Sequence, residues 1–338
     1  MKVLALTVGA PTTASTQYRL AQFVDSLKAE GVSLHLTDAK SFRAYRELDQ
    51  YDVVIVQKRL MPKSWVKRIR KNAKNLIFDV DDAIWEPHGR KHSWWARYRS
   101  AIRLDAILSA SDVCTLPNMH LAQALESKVK RVMLVPMALD ENQWMPLPAR
   151  RDGPIRIGWA GAPPNLVYLA QLEEVMGEVQ SMRNEIEWVI YCGEPPRLSH
   201  DLNTTYIPFC AGSEISVVQN FDIGLLPLPD NRFAAGKSPI KALQYAACGV
   251  PCIASPVGAT QETVIAGVTG LTAVTQDEWK AALLSLIDDA ELRQTMGAAA
   301  RRQFMRHHSQ KVVQSLILEC WRGLVHEASA EKHIVSRF

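Results

Sequence analysis

Short runs of Val, Ile, Leu and Ala recur along the chain, separated by longer stretches whose apolar positions return every third or fourth residue. The first pattern predicts buried strands and the second amphipathic helices. Val3–Val8, Ser33–Leu36, Val53–Val56, Leu76–Val80, Asp112–Leu116 and Arg131–Val135 read as strands, with helices starting near Thr16, Ser64, Ser93 and Asn118. A Pro-rich connector at 145–154, MPLPARRDGP, opens a second series: Ile155–Trp159, Glu187–Tyr191, Thr205–Ile207, Asp222–Leu226, Pro251–Ala254 and Leu271–Ala273. Alternation of this kind predicts an α/β protein with two doubly wound parallel sheets in tandem and a cleft between them. The tail reads as helices over 275–288, 290–304 and 309 to about 327, the last closing back over the first domain. The expected domains are therefore 1–148, 149–308 and the returning helix segment 309–338. Ligands of such sheets gather at the carboxyl ends of the strands.

The 338 residues are 47% apolar and 22% charged, ordinary globular usage that excludes large-scale disorder. No run approaches the ~20 apolar residues of a membrane span, and the start, MKVLALTVGAP, lacks the pattern of a signal peptide, so a cytoplasmic protein is expected. Six scattered cysteines without a CxxC pair argue against structural zinc and a disulfide framework. Charge is divided unevenly: residues 1–150 carry net +8 and residues 151–338 net −4. Much of the excess is a run from Lys58 to Lys74 that contains no acid. A helix over Ser64–Asn72, with Trp65, Val66 and Ile69 among Lys67, Arg68, Arg70 and Lys71, has two readings. It is a solvated face, or it rests on an anionic leaflet as a peripheral membrane contact through residues 58–74. Nucleic acid is not expected, because no binding motif accompanies the charge.

The densest chemistry lies at 221–273. Strand Asp222–Leu226 leads to a Pro-rich loop, after which Gly236-Lys237-Ser238-Pro239 opens a helix through Ile240–Ala247. Pro suits a first helical turn. A glycine permits close backbone approach, and free N–H groups at a helix start attract an anion. With Lys237 adding charge, this segment is a candidate seat for a diphosphate, backed by a second glycine turn at Gly258 and by Glu262.

Residues 236–251, GKSPIKALQYAACGVP, look like the donor-binding core of the retaining glycosyltransferase family 4, and Gly258 to Leu271 resembles the turn and strand that follow it. Ile157-Gly158-Trp159-Ala160-Gly161 resembles the opening strand and turn of that family's second domain. Phe78-Asp79-Val80-Asp81-Asp82-Ala83 resembles an acidic strand end of its first domain, and Gly9 to Ser15 the loop under the donor phosphates. The resemblance implies a GT-B architecture: two Rossmann-like domains facing each other across a cleft, with a C-terminal helix returning to the first. It implies transfer of a sugar, with retention, from a UDP- or GDP-linked donor to a glycan or lipid-linked acceptor, with no further cofactor and no metal. The candidate catalytic residues are Asp82, which lies furthest past its strand, and Lys237, which adds charge at the helix start. The implied donor-binding residues are Gly9, Gly161, Arg232, Gly236, Ser238, Gln244 and Glu262.

The chain departs from the family at the paired glutamates and in the loop Ala162-Pro163-Pro164-Asn165, which lacks the family's usual Arg and Lys. The family's paired glutamates, eight residues apart, are Gly236 and Gln244 in this chain. Gln244 keeps hydrogen-bonding capacity toward a ribose, whereas Gly236 has no side chain to hold a sugar. Lys241 is a further candidate for the diphosphate, unless its helix points it elsewhere. Asp79, Asp81 and Asp82 suit a divalent metal, a hydroxyl-orienting carboxylate or simple helix capping. His88 and His92 follow them and are surface residues or cleft residues. A nucleotide-sugar epimerase and a non-catalytic donor-binding subunit remain the alternatives.

Overall fold

A computed structural model describes residues 1–86, 93–148, 153–198 and 201–335, with side chains through Glu327. The chain forms two compact units. Unit 1 is Met1–Ala138, Gly236–Ser238 and the segment from Gln310; unit 2 is Leu139–Ala235 and Pro239–Ser309.

Unit 1 contains β1 (Lys2–Thr7), α1 (Ala14–Arg19), α2 (Val24–Ala29), β2 (Ser33–Asp38), β3 (Val53–Gln57), α3 (Lys63–Asn72), β4 (Leu76–Asp79), α4 (Trp94–Ala110), β5 (Val113–Leu116), α5 (Met119–Leu125) and β6 (Val132–Leu134). All six strands are parallel, in the order β2-β1-β3-β4-β5-β6. The apolar runs are continuous because helices cover both faces of the sheet. Side chains alternate across it. Leu4, Leu6, Val54, Val56 and Phe78 pack with Val66 and Ile69 of α3 and Leu104 and Ile107 of α4. Val3, Ala5, Val53, Ile55 and Ile77 face Leu20, Phe23 and Leu27, together with Val313, Ile317, Trp321 and Leu324 of the terminal helix, which runs Gln310–Val335.

Unit 2 contains β7 (Ile155–Ala160), α6 (Leu166–Ala170), α7 (Glu173–Met182), β8 (Ile186–Cys192), β9 (Thr204–Pro208), α8 (Glu214–Val218), β10 (Ile223–Leu226), α9 (Arg232–Ala235), α10 (Ile240–Ala247), β11 (Cys252–Ala254), α11 (Thr260–Thr263), β12 (Gly270–Thr272), α12 (Gln276–Asp288) and α13 (Ala290–His307); the terminal helix of unit 1 is α14. Its sheet is also parallel, in the order β12-β11-β10-β7-β8-β9. A core of Trp159, Trp188, Ile190, Ile223 and Ile253 packs under Val175, Val179, Trp279 and Leu283. The chain enters unit 2 after Ala138, ahead of the Pro-rich connector. Leu139 N–H donates to the carbonyl of His308 at 3.1 Å, and Arg301 donates to the carbonyls of Glu141, Trp144 and Ala247. These bonds tie 139–148, assigned to the first domain by sequence, to α13 and α10.

Each sheet reverses its winding once. In unit 1 the reversal lies between β1 and β3, and in unit 2 between β7 and β10. The loops after those strands diverge and leave room for a ligand.

Candidate functional site

At the reversal in unit 1, the loop after β3 turns sharply. Lys58, its first residue, has a φ of 46° and its N–H donates to the carbonyl of Asp79 at 2.6 Å. A left-handed backbone is uncommon for a residue with a Cβ, and such strain concentrates at functional positions. The turn aims the ammonium at the end of β4, where it pairs with Asp81 at 3.0 Å and with Asp82, and donates to Ser15 Oγ of α1 at 3.0 Å. Burial by itself would lower the Lys58 pKa, but the carboxylates of Asp81 and Asp82 outweigh it and hold the group above its ordinary 10.5. The buried Gln57 braces the same corner, donating to the carbonyl of Ser15 and accepting from Thr16 Oγ1, both at 3.0 Å.

Asp79 faces a different partner. Its carboxylate takes both an Nε donation at 3.2 Å and an Nη2 donation from Arg19, and accepts from Thr115 Oγ1 at 2.7 Å. Arg19 also donates to the carbonyls of Val135 and Pro136. Burial would depress the guanidinium, yet the Asp79 charge more than restores it. The three aspartates are thus divided between two cations, and among the described residues no group of three or more His, Cys, Asp or Glu side chains is placed to hold a metal ion. Asp82 stays the most accessible of the three, with 24% of its side chain exposed against 5% for Asp81 and 6% for Asp79.

Residues 236–238 belong to this cluster by their contacts. Ser238 is buried and its Oγ donates to the carbonyl of Asp81 at 2.7 Å. Gly236 is buried as well: a Cβ placed on it would lie 2.5 Å from the Cβ of Ala83 and 3.2 Å from Leu121. The expectation of an open anion seat lined by both residues is corrected accordingly. The Ser238 hydroxyl is committed to a carbonyl, and Gly236 serves close packing, which also explains why no glutamate stands there. Lys237 between them is half-buried.

In unit 2 the candidate residues spread along the strand ends. Gly161 follows β7, and its N–H donates to the carbonyl of Tyr191 at 3.1 Å. Arg232 opens α9 and is exposed; Glu262 in α11 is exposed and its carbonyl accepts from Gln303. Gly258 has a φ of 50°, and a Cβ on it would lie 2.0 Å from the carbonyl oxygen of Ala235, so the turn after β11 and the end of α9 meet backbone to backbone. Gln244 is a second correction: it is fully buried on α10 and presents no surface to a ribose. Lys241 of the same helix pairs with Glu214 of α8, its charge already balanced. Gly9, after β1 in unit 1, has a φ of 113° and its carbonyl accepts from Thr7 Oγ1 at 2.8 Å. His88 and His92 lie outside the described residues.

Sequence reasoning missed Lys58 as a site residue by counting it in a surface run of positive charge. Its place immediately after β3, beside the acidic end of β4, was the available signal.

Residues 156–289 match the protein family described as Glycosyl transferases group 1. A search of curated proteins gives no match. Among solved structures, sucrose-phosphate synthase from Thermosynechococcus elongatus is similar at 14% identity and a TM-score of 0.72, over 96% of this chain and 99% of that one. HepE of Anabaena in complex with UDP aligns at 12% identity and a TM-score of 0.65, over 95% and 99% of the two chains. A glycosyltransferase from Rickettsia africae aligns at 11% identity and a TM-score of 0.63, over 96% and 98%. The fold is GT-B, as the sequence resemblance implied.

Proposed function

We propose, from the glycosyltransferase domain at 156–289, that the protein moves a sugar from a nucleotide diphosphate donor to a hydroxyl of a glycan or lipid-linked acceptor, with retention at the anomeric carbon. Cytoplasmic assembly of cell-surface polysaccharide or glycolipid is the setting we infer. The observation that carries the reading is the family match over unit 2, whose sheet reverses between β7 and β10, the strands that precede Gly161 and the loop before Arg232. It is supported by HepE, which has been solved with UDP and with UDP-glucose.

Charge on the leaving diphosphate dominates the barrier to such transfer, so main-chain N–H groups and cations aimed at it supply most of the stabilisation. Arg232 and Lys237 are the side chains we assign to that charge. The departing phosphate itself accepts the proton of the incoming hydroxyl, and no protein nucleophile is required. Asp82, the half-buried and most accessible carboxylate of the Lys58 cluster, orients a sugar or acceptor hydroxyl.

Titration of purified protein with UDP, GDP and their sugar conjugates, followed by nucleotide release with and without lipid acceptor, tests this. Binding of one nucleotide sugar with acceptor-dependent release is the expected result; no binding to any member refutes it. Asp82→Asn should spare donor affinity and lower transfer. A second reading, donor binding without turnover, is favoured by the closed space at Gly236 and the buried Gln244. Affinity without release would select it.

A further inference from the structure

Val66 and Ile69, the apolar half of the basic helix α3, are buried in the core of unit 1, and Trp65 packs against Tyr45 under the guanidinium of Arg43. The expectation that these three side chains rest on a bilayer is thereby withdrawn. Arg70 is withdrawn too: it pairs with Asp112 and donates to the carbonyls of Ala73 and Lys74. Besides Arg68, α3 keeps on its surface a row of lysines, Lys63, Lys67 and Lys71, each four residues from the next and so aligned on one ridge.

The neighbouring helix α4 supplies the apolar surface that α3 lacks. Trp94, Trp95 and Tyr98 are 63%, 58% and 56% exposed, and Ile102, four residues after Tyr98, is 41% exposed. Single exposed apolar residues need no explanation, but four large ones on one stripe of one helix do. The stripe continues through Ile102 and Ala106 into a groove of about 680 Å³ between the two helices, whose other wall carries Lys63, Lys67 and Lys71. Arg97 and Arg99 flank the aromatic end.

We infer that this α3–α4 face docks unit 1 on the surface of an anionic lipid bilayer. Trp94, Trp95, Tyr98 and Ile102 enter the headgroup region, and the lysine ridge with Arg97 and Arg99 lies against lipid phosphates. Amphipathic aromatic rings favour that depth, and a nearby anionic surface attracts each basic side chain. Charge complementarity selects this occupant over a glycan chain, since Asp105 is the one acid lining the groove and hydroxyl recognition calls for several acceptors. Single-stranded nucleic acid, which would stack bases on the exposed tryptophan faces, is the competing occupant that the test below must exclude. The inference does not depend on the donor chemistry.

Co-sedimentation with phosphatidylcholine vesicles, with and without phosphatidylglycerol, tests it on the full chain. The expected result is binding that requires phosphatidylglycerol and weakens with salt. Lys63→Gln, Lys67→Gln and Lys71→Gln should each reduce affinity about fivefold, and Trp94→Ala with Trp95→Ala about tenfold. Lys128→Gln with Lys130→Gln, exposed charges elsewhere, should leave it unchanged. All these side chains are exposed, so melting temperatures report whether a variant is folded. Absence of binding to phosphatidylglycerol vesicles overturns the proposal, as does binding that survives both sets of substitutions. So would a labelled single-stranded oligonucleotide bound more tightly than vesicles, or light scattering that shows the tryptophan face consumed in a dimer.

Discussion

Lys58 illustrates how one residue can be both strained and indispensable. Its left-handed backbone is held by two carboxylates and a hydroxyl, and Asp81, being buried, depends on it for compensation. Lys58→Met should destabilise unit 1 by about 3 kcal/mol, the lower end for breaking a buried pair, because the lysine keeps some contact with water. The pH dependence has a definite sign. A cation whose pKa is raised on folding contributes fully below its unfolded value and loses that contribution as pH climbs through the folded one. Denaturant titrations should therefore show a constant gap between wild type and variant from neutral pH to about pH 10.5 that narrows above it; a gap that widens there would contradict the pairing. Gly236 gives a second test. Gly236→Ala forces a methyl to within 2.5 Å of Ala83, and overpacking of that kind costs about 1–3 kcal/mol. An unaltered melting temperature would show that the loop yields freely.

Among the elements, α14 closes one face of the unit 1 sheet. Trp321 and Ile317 seal the sheet face over Ile55 and Ile77, beside the Arg19–Asp79 pair. Trp321→Ala should cost about 3–5 kcal/mol, read as a lowered denaturation midpoint with proteolysis starting in unit 1. The inner strands were legible in the sequence because parallel strands buried on both faces are nearly uninterrupted apolar runs, as in Val53–Gln57, whereas the edge strands β2 and β9 alternate polar with apolar residues and are partly exposed. Side-chain direction was not legible. A motif places Ser238 and Gln244 near a helix start, but only packing decides that one turns to a carbonyl and the other into the core. The same holds for α3, where composition marks the helix as basic and amphipathic without saying which neighbour its apolar half meets.

For the whole molecule, thiol accessibility is a compact probe of the packing. Five of the six cysteines are buried and Cys210 is exposed. Burial pushes the thiols of Cys248 and Cys320 up to about 12. Native protein should take up one equivalent of a thiol reagent at neutral pH and six after denaturation; a second fast equivalent would mean that one of the cores opens readily.

The terminal helix also sets an order of events during synthesis. It is translated after all of unit 2, yet it supplies Val313, Ile317 and Trp321 to the sheet built from Val3, Val53 and Ile77. A chain truncated after Ser309 and released from the ribosome should therefore show a protease-resistant unit 2 behind an N-terminal stretch that is still digestible. The half made first is the half finished last, and until then its bare strands are natural clients for a chaperone.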